Sequence, residues 1–291
     1  MANAFAKPTV LARLALGLLR HQLVFANTVN RDAQAEFTAG RGATVNIRKP
    51  ASLTARRYNR GAGQPIVLDE LTETTIPVVL DTEPYSAVGL TDWDLSLELE
   101  DYGRQVLDPQ VKAVAEDIEA QVMSQFSALS AGVTVAADGS DFHAKLIEAR
   151  RKLNVAKVPQ EGRWLAIGSD HEAALLLDPD RRLVPWDATG EASALREAAI
   201  GRLYGFNTFL ATGLPVGVSV AYHRDAFALA NVAPVVPDGV AFGRSIAEGG
   251  YAMRLIKDYD TAYMRDRSVV SAFSGTKTLD ANRAVKITTT P

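Results

Sequence analysis

A chain of 291 residues with 47% hydrophobic and 22% charged side chains folds as one large domain or two smaller ones, with a sizeable core. It has no cysteine, which excludes a disulfide framework, thiol catalysis and cysteine-ligated metal, and fits a reducing cytoplasm. A net charge of −3 excludes nucleic-acid binding driven by overall charge.

In chain order, residues 8–23 read as a short amphipathic helix. Pro8 suits its first turn, and Leu11, Leu14 and Leu18 form a stripe interrupted by Arg13, Arg20 and His21. Such a helix either faces the core or lies as an arm on a neighbouring subunit. The apolar run 14–19 is too short for a secretory h-region, and no run approaches the ~18 apolar residues of a membrane span. The sequence therefore reads as cytosolic and uncleaved.

Residues 43–48 alternate like a strand and stop at Pro50. A polar stretch, 52–63, carries Arg56, Arg57, Arg60 and the flexible Gly61-Ala62-Gly63. A second extended run, 65–81, places Thr74, Ile76, Val78 and Leu80 on one side. Two extended runs around a basic tip make a long hairpin-like arm, with too few apolar residues for a core of its own.

Asp108-Pro109 opens the clearest helix, with Asp108 expected as N-cap and Pro109 at the first helical position. Val111, Val114, Ala115, Ile118, Val122, Phe126 and Leu129 recur at helical spacing, with Lys112, Glu116, Glu119 and Gln125 off the stripe. Running to about Ser130 and ended by Gly132, it predicts a rod of about 30 Å.

Residues 138–244 read as a compact α/β unit. Its elements are a helix at 141–156, a buried strand at 164–167 and a short helix to Leu177 capped by Ser169 or Asp170. A helix at 191–200, an extended segment at 205–210 and strands at 216–221 and 226–230 follow. Strand texture returns at 251–256, 267–273 and 284–288. There is no internal repeat and no low-complexity tract.

The search for chemistry is negative. The histidines at 21, 143, 171 and 223 are scattered, and His171-Glu172 lacks the second histidine of a zinc-protease helix, so His171 is expected at the surface of a helix start. Gly40-Arg41-Gly42, Gly61-Ala62-Gly63 and Gly275-Thr276-Lys277-Thr278 lack the rest of a phosphate cradle and read as turns. Asp92-Trp93-Asp94 reads as surface carboxylates, and there is no nucleophile elbow. The expectation is a protein without enzymatic site, metal or cofactor.

Charge is more informative. Residues 31–60 hold seven basic residues against Asp32 and Glu36, whereas residues 69–119 hold fourteen acids against Arg104 and Lys112. A basic arm beside an acidic body steers and registers contact between successive subunits. It equally describes a basic loop folded on its own acidic neighbour. A nucleic-acid-binding arm is disfavoured, since Tyr58 is the lone aromatic near the tip.

The order of these parts resembles the tailed-bacteriophage major capsid fold of the Hong Kong ninety-seven type. The residues that carry the likeness are 42–50 (Gly-Ala-Thr-Val-Asn-Ile-Arg-Lys-Pro), Ile76-Pro77-Val78-Val79-Leu80, 200–206 with Gly213-Leu214-Pro215, 222–230, and 275–280 leading to Ala284-Val285. Their texture is similar to the Salmonella-phage coat protein branch. Some coat proteins of that branch carry an inserted domain, and 291 residues are expected to leave no room for a large one.

The resemblance implies an α+β subunit divided into an N-terminal arm (1–45), an E-loop with flanking strands (46–80), a peripheral domain with a spine helix (81–135), an axial domain (136–250) and return strands (251–291). It implies pentamers and hexamers closing into an icosahedral shell around double-stranded DNA, with scaffolding and portal proteins as partners, a decoration protein as a further candidate, and no membrane. The E-loop, about 50–75, would reach over a neighbour. Arg56, Arg57, Arg60, Asp69 and Glu70 are the candidate subunit contacts, and the acids Glu116, Asp117 and Glu119 of the spine helix would face the DNA. Two rivals remain: a bacterial encapsulin nanocompartment shell of the same fold, and an α/β enzyme with a site in 138–244.

Overall fold

Two strands that alternate in sequence pair as the sequence requires. In the computed structural model, which describes residues 13, 15, 16, 24–32, 37, 42–49, 55–58, 65, 66, 68, 74–91, 102–177, 202–240, 242–248 and 251–290, strand β1 (Thr44–Lys49) runs antiparallel to β2 (Thr74–Val79). Thr44 faces Val79 and Lys49 faces Thr74, so the segment between them is the tip of a hairpin arm. At its root, Val78 is buried against Ala228 and Ala230.

The root is fixed by a close backbone approach. Strands β9 (Phe227–Val232) and β13 (Phe273–Thr278) pair antiparallel, and the chain beyond β2 joins them where Thr82 bridges Ser274. Gly275 lies directly beneath the end of β2. A Cβ there would stand 1.9 Å from the Val79 carbonyl oxygen. On the other side of β9, Asn30 bridges Ala228, its N–H donating to the Phe227 carbonyl at 3.0 Å and its carbonyl accepting from Leu229 at 2.9 Å. Residues 275–278, expected as a turn, instead belong to a strand that begins at Phe273: the Ser274 hydroxyl is buried and those of Thr276 and Thr278 half-buried, partners rather than a polar surface.

The long helix α1 (Asp108–Ser127) buries Val111, Val114, Ala115, Ile118, Val122 and Phe126, the stripe read from the sequence. Its start differs from expectation. Asp108 is helical, not a cap, because a π-helical turn at Gly103–Leu107 runs straight into α1. Pro109 lacks an N–H and its ring crowds the carbonyl four residues earlier. The wider turn, in which the Asp108 N–H bonds to the Gly103 carbonyl, relieves that conflict without ending the helix.

Helix α1 crosses an antiparallel sheet of order β10-β11-β12-β3, made of β3 (Tyr85–Thr91), β10 (Phe242–Glu248), β11 (Tyr251–Asp260) and β12 (Arg265–Ser271). Gln110, fully buried, stitches helix to sheet. Its amide donates to the Ser86 and Ser268 carbonyls at 3.1 and 2.8 Å and its oxygen accepts from Ser268 Oγ at 2.8 Å.

A six-stranded sheet has the order β4-β14-β8-β5-β7-β6: β4 (Ala131–Val135), β5 (Arg163–Ile167), β6 (Arg202–Leu203), β7 (Phe206–Leu210), β8 (Val218–His223) and β14 (Ala284–Thr289). β14/β4 and β5/β7 are parallel and the remaining pairs antiparallel. Helices α2 (Phe142–Val155) and α3 (Ser169–Leu177) cover one face. Strand β8 is buried throughout and divides two cores by its two-residue period. Val220 and Tyr222 join α1 and the N-terminal segment, while Ala221 joins α2, β4 and β14. The expected helix at 191–200 and Asp92-Trp93-Asp94 lie outside the described residues. Of the expected helix at 8–23, Arg13, Ala15 and Leu16 are described as helical, the last two buried.

Candidate assembly surfaces

The hairpin arm carries the first candidate surface. Arg56 and Arg57 are exposed between β1 and β2, whereas Arg60, Asp69 and Glu70 lie outside the described residues. Sequence reasoning overlooked the apolar side chains beside them: Tyr58, Ile66 and Leu68 are 59%, 75% and 88% exposed. Full burial of an aliphatic side chain of this size is worth roughly 1.5–3 kcal/mol. An arm that presents both arginines and such groups has the composition of a surface that is covered by another chain.

Where the arm meets the body, a groove of about 390 Å3 is lined by Ile47, Arg48, Ile76, Asn30, Asp32, Asp225, Asp280 and Arg283. Its charges are largely matched: Arg283 lies 3.4 Å from Asp225 and 3.6 Å from Asp280, and the Asn30 amide donates to both Asp225 and Asp32. This network locks the N-terminal segment, the turn after β8 and the chain before β14 to one another.

A second groove, of about 740 Å3, runs between α1, Val24 and Phe25 and the turn after β7, lined by Asp108, Lys112, Glu116, Glu119, Met123, Leu210 and Thr212. Here the expectation of three outward acids on α1 needs correction. Glu116 is exposed and 3.9 Å from Lys112, and Asp117 is exposed and accepts from the Gln121 amide at 2.7 Å. Glu119 instead turns under the N-terminal segment and accepts the Phe25 N–H at 2.7 Å. Phe25 then packs on Phe126 and Phe209, with ring centroids 5.7 and 5.0 Å away, and Thr28 Oγ1 meets the buried Tyr222 hydroxyl at 2.5 Å.

His171 also departs from expectation. It is 1% exposed, stacked on Phe142 at 4.6 Å, and hydrogen-bonded to Ser219 Oγ at 2.6 Å and Thr289 Oγ1 at 2.9 Å. Burial holds its pKa below the ordinary histidine value. A neutral ring, with one N–H and one acceptor nitrogen, satisfies both bonds. Ser219 is fully buried and also accepts the Gly168 N–H at 3.0 Å, so this serine–histidine pair is sealed from any substrate. It ties α3, β8 and β14 together. Among the described residues, no group of three His, Asp or Glu side chains is arranged to hold a metal ion, and no helix is long and apolar enough to cross a membrane.

No known family pattern matches the chain, and no curated protein matches it. Solved structures do. One of Mycobacterium phage Che8 is 21% identical with a TM-score of 0.67, the match covering 91% of this chain and 90% of that one. The capsid structure of the cyanophage P-SCSP1u gives the same TM-score at 14% identity, over 92% of this chain and 88% of that one. The chain has the fold of a phage capsid subunit. This capsid fold extends beyond phages: a virus-like particle from Pyrococcus furiosus matches at a TM-score of 0.54 and 11% identity, over 95% of this chain and 97% of that one.

Proposed function

We propose that the chain is a major capsid protein, a subunit that assembles into pentamers and hexamers of an icosahedral shell enclosing phage double-stranded DNA. The observation that carries this reading is the match of fold over about nine-tenths of both chains to the capsid structure of the cyanophage P-SCSP1u. The exposed apolar and basic groups on an arm rooted so firmly to the body support it.

In this reading residues 1–45 are the N-terminal arm, 46–80 the E-loop and its strands, 81–135 the peripheral domain with α1 as its spine, 136–250 the axial domain and 251–291 the return strands. Arg56, Arg57 and Arg60, with Asp69 and Glu70, make the loop's contacts on a neighbouring subunit. Tyr58, Ile66 and Leu68 supply its apolar burial. The order of motifs puts the chain nearest the Salmonella-phage coat branch. Scaffolding and portal proteins are its assembly partners and a decoration protein a further one. Assembly takes place in the host cytoplasm, and the product is the virion shell.

A second reading, an encapsulin-type nanocompartment shell, is favoured by the likeness to the Pyrococcus particle. Sedimentation of the purified chain, alone and with a scaffolding partner, tests the shell function. Closed particles of megadalton mass are expected. Particles that package a co-expressed enzyme instead of DNA turn the assignment to the nanocompartment, and persistent small oligomers contradict both.

A further inference from the structure

Two surfaces of this chain match each other in chemistry. From Pro50 to Leu68 the arm carries Arg56, Arg57 and Arg60 and no acid; its acids, Asp69, Glu70 and Glu73, come at the return to β2. Beside the arginines, Tyr58, Ile66 and Leu68 are left exposed. The 740 Å3 groove along α1 has the opposite charge and the same apolar character. Asp108, Glu116 and Glu119 stand there against Lys112, and Val24 and Leu210, from two of its walls, remain 47% and 42% exposed. Its volume lies within the roughly 300–1,000 Å3 of sites that enclose a ligand, so it takes several side chains and not one.

The two surfaces lie on opposite flanks of α1. Gln121 and Gln125 turn toward the root of the arm: Gln121 Oε1 accepts from Thr82 Oγ1 at 3.0 Å and Ser274 Oγ at 2.9 Å, and Gln125 Oε1 from Thr278 Oγ1 at 3.1 Å. Lys112, Glu116, Glu119 and Met123 form a stripe about half a helical turn away, at 3.6 residues per turn. An arm and a receiving surface on opposite flanks of one helix are the two halves of a head-to-tail contact, which passes from copy to copy and closes as a ring.

The geometry points to the α1 groove as the receptor for the arm of a second copy: residues 56–68 of one subunit lie in the groove of the next, with apolar side chains against Val24 and Leu210 and arginines beside Asp108 and Glu116.

This contact rests on the shell reading and adds to it the surface that receives the arm. The arm is long enough. Half of the 24 residues between Lys49 and Thr74, at about 3.3 Å each, reach up to about 40 Å from the root. That is about twice the radius of gyration, about 19 Å, of a compact chain of this length. Opposite charge steers the tip to the groove and sets its register, and burial of Ile66 and Leu68 holds it there. Glu119 stays with the Phe25 N–H, so that wall of the groove is in place before the arm arrives. Glu116 meets a protein partner in place of the DNA that the resemblance assigns to it.

The chain has no cysteine, so an introduced thiol has a single address. Two single variants, Ile66→Cys and Leu210→Cys, are co-expressed with the scaffolding partner, and the particles are treated with a short bismaleimide. A covalent dimer in which a peptide map joins the two positions is expected. Ile66→Cys with Val155→Cys, exposed at the end of α2 and away from the groove, is the control and should give only background. Leu68→Cys with Val24→Cys repeats the test from the other wall, should either first variant fail to assemble. Particles that form without a link from either pair place the arm elsewhere and overturn the contact while leaving the shell function standing. In a chain carrying both Ile66→Cys and Leu210→Cys, links within one chain instead of between chains overturn it as well. A wild-type chain that forms no particle contradicts the shell reading, and the contact with it.

Discussion

Replacing Gly275 with alanine places a methyl group where backbone already stands. The added Cβ would lie 1.9 Å from the Val79 oxygen, 2.8 Å from its carbonyl carbon and 3.1 Å from Leu80 Cα. None of these atoms can rotate aside, so β13 and the end of β2 must part by roughly an ångström to reach van der Waals contact. That separation strains the paired bonds Thr82 N–H to Ser274 O (3.2 Å) and Ser274 N–H to Thr82 O (2.9 Å), and loosens Val78 from Ala228 and Ala230.

Overpacking costs about 1–3 kcal/mol, and two weakened hydrogen bonds add about 1 kcal/mol. The strand preference of alanine over glycine returns about 0.5–1 kcal/mol. The net loss is about 1–3.5 kcal/mol, or a fall in Tm of roughly 2–6 °C for a chain of this size. Scanning calorimetry of unassembled subunits measures it. Gly239→Ala, where a Cβ meets nothing within 4 Å, is the control and should stay within about 0.5 kcal/mol of wild type. A Gly275→Ala Tm within about 1 °C of wild type would refute the claim that the arm is rooted by backbone contact at this glycine.

Phe126→Ala removes the ring shared by Phe25, Tyr222 and Phe227, and should cost about 3–5 kcal/mol, read as a loss of soluble, cooperatively melting protein. His171 has a pKa lowered by folding, so its contribution is full above 6.5 and is lost as pH falls. The drop in Tm from pH 7 to 5 should therefore be smaller in His171→Gln, whose Tm at pH 7 is already reduced. Arg56→Glu with Arg57→Glu should leave the stability of subunits unchanged within about 0.5 kcal/mol while lowering assembly yield and changing its salt dependence in light scattering. Unaltered yield and salt response would remove these arginines from the subunit interface.

The periodic elements were legible in the sequence, and those defined by their partners were not. The α1 stripe, the β1–β2 alternation, the face of α2 and strand β5 each carry a pattern that local physics reads directly. β3, β4 and β10 escaped because their burial depends on distant strands: β3 is an edge strand, half-buried at Ser86 and Val88 and buried at Leu90, and pairs with β12, some 180 residues away. β13 was hidden by Gly275, whose role is to admit the backbone of β2. His171 and Glu119 look like surface residues at helical positions. What fixes them is a chain contact far in sequence, Thr289 for one and Phe25 for the other. The basic run pointed to the arm, while its apolar contacts were passed over because three separated side chains make no period.

The most direct test of the account is cryo-electron microscopy of the particles formed when the chain is expressed with its scaffolding partner. The capsid reading predicts closed shells of pentamers and hexamers, with the 50–73 loop of each subunit lying on its neighbour and Ile66 and Leu68 covered. Small soluble oligomers under all conditions, or a shell in which that loop folds back on its own subunit, would contradict it.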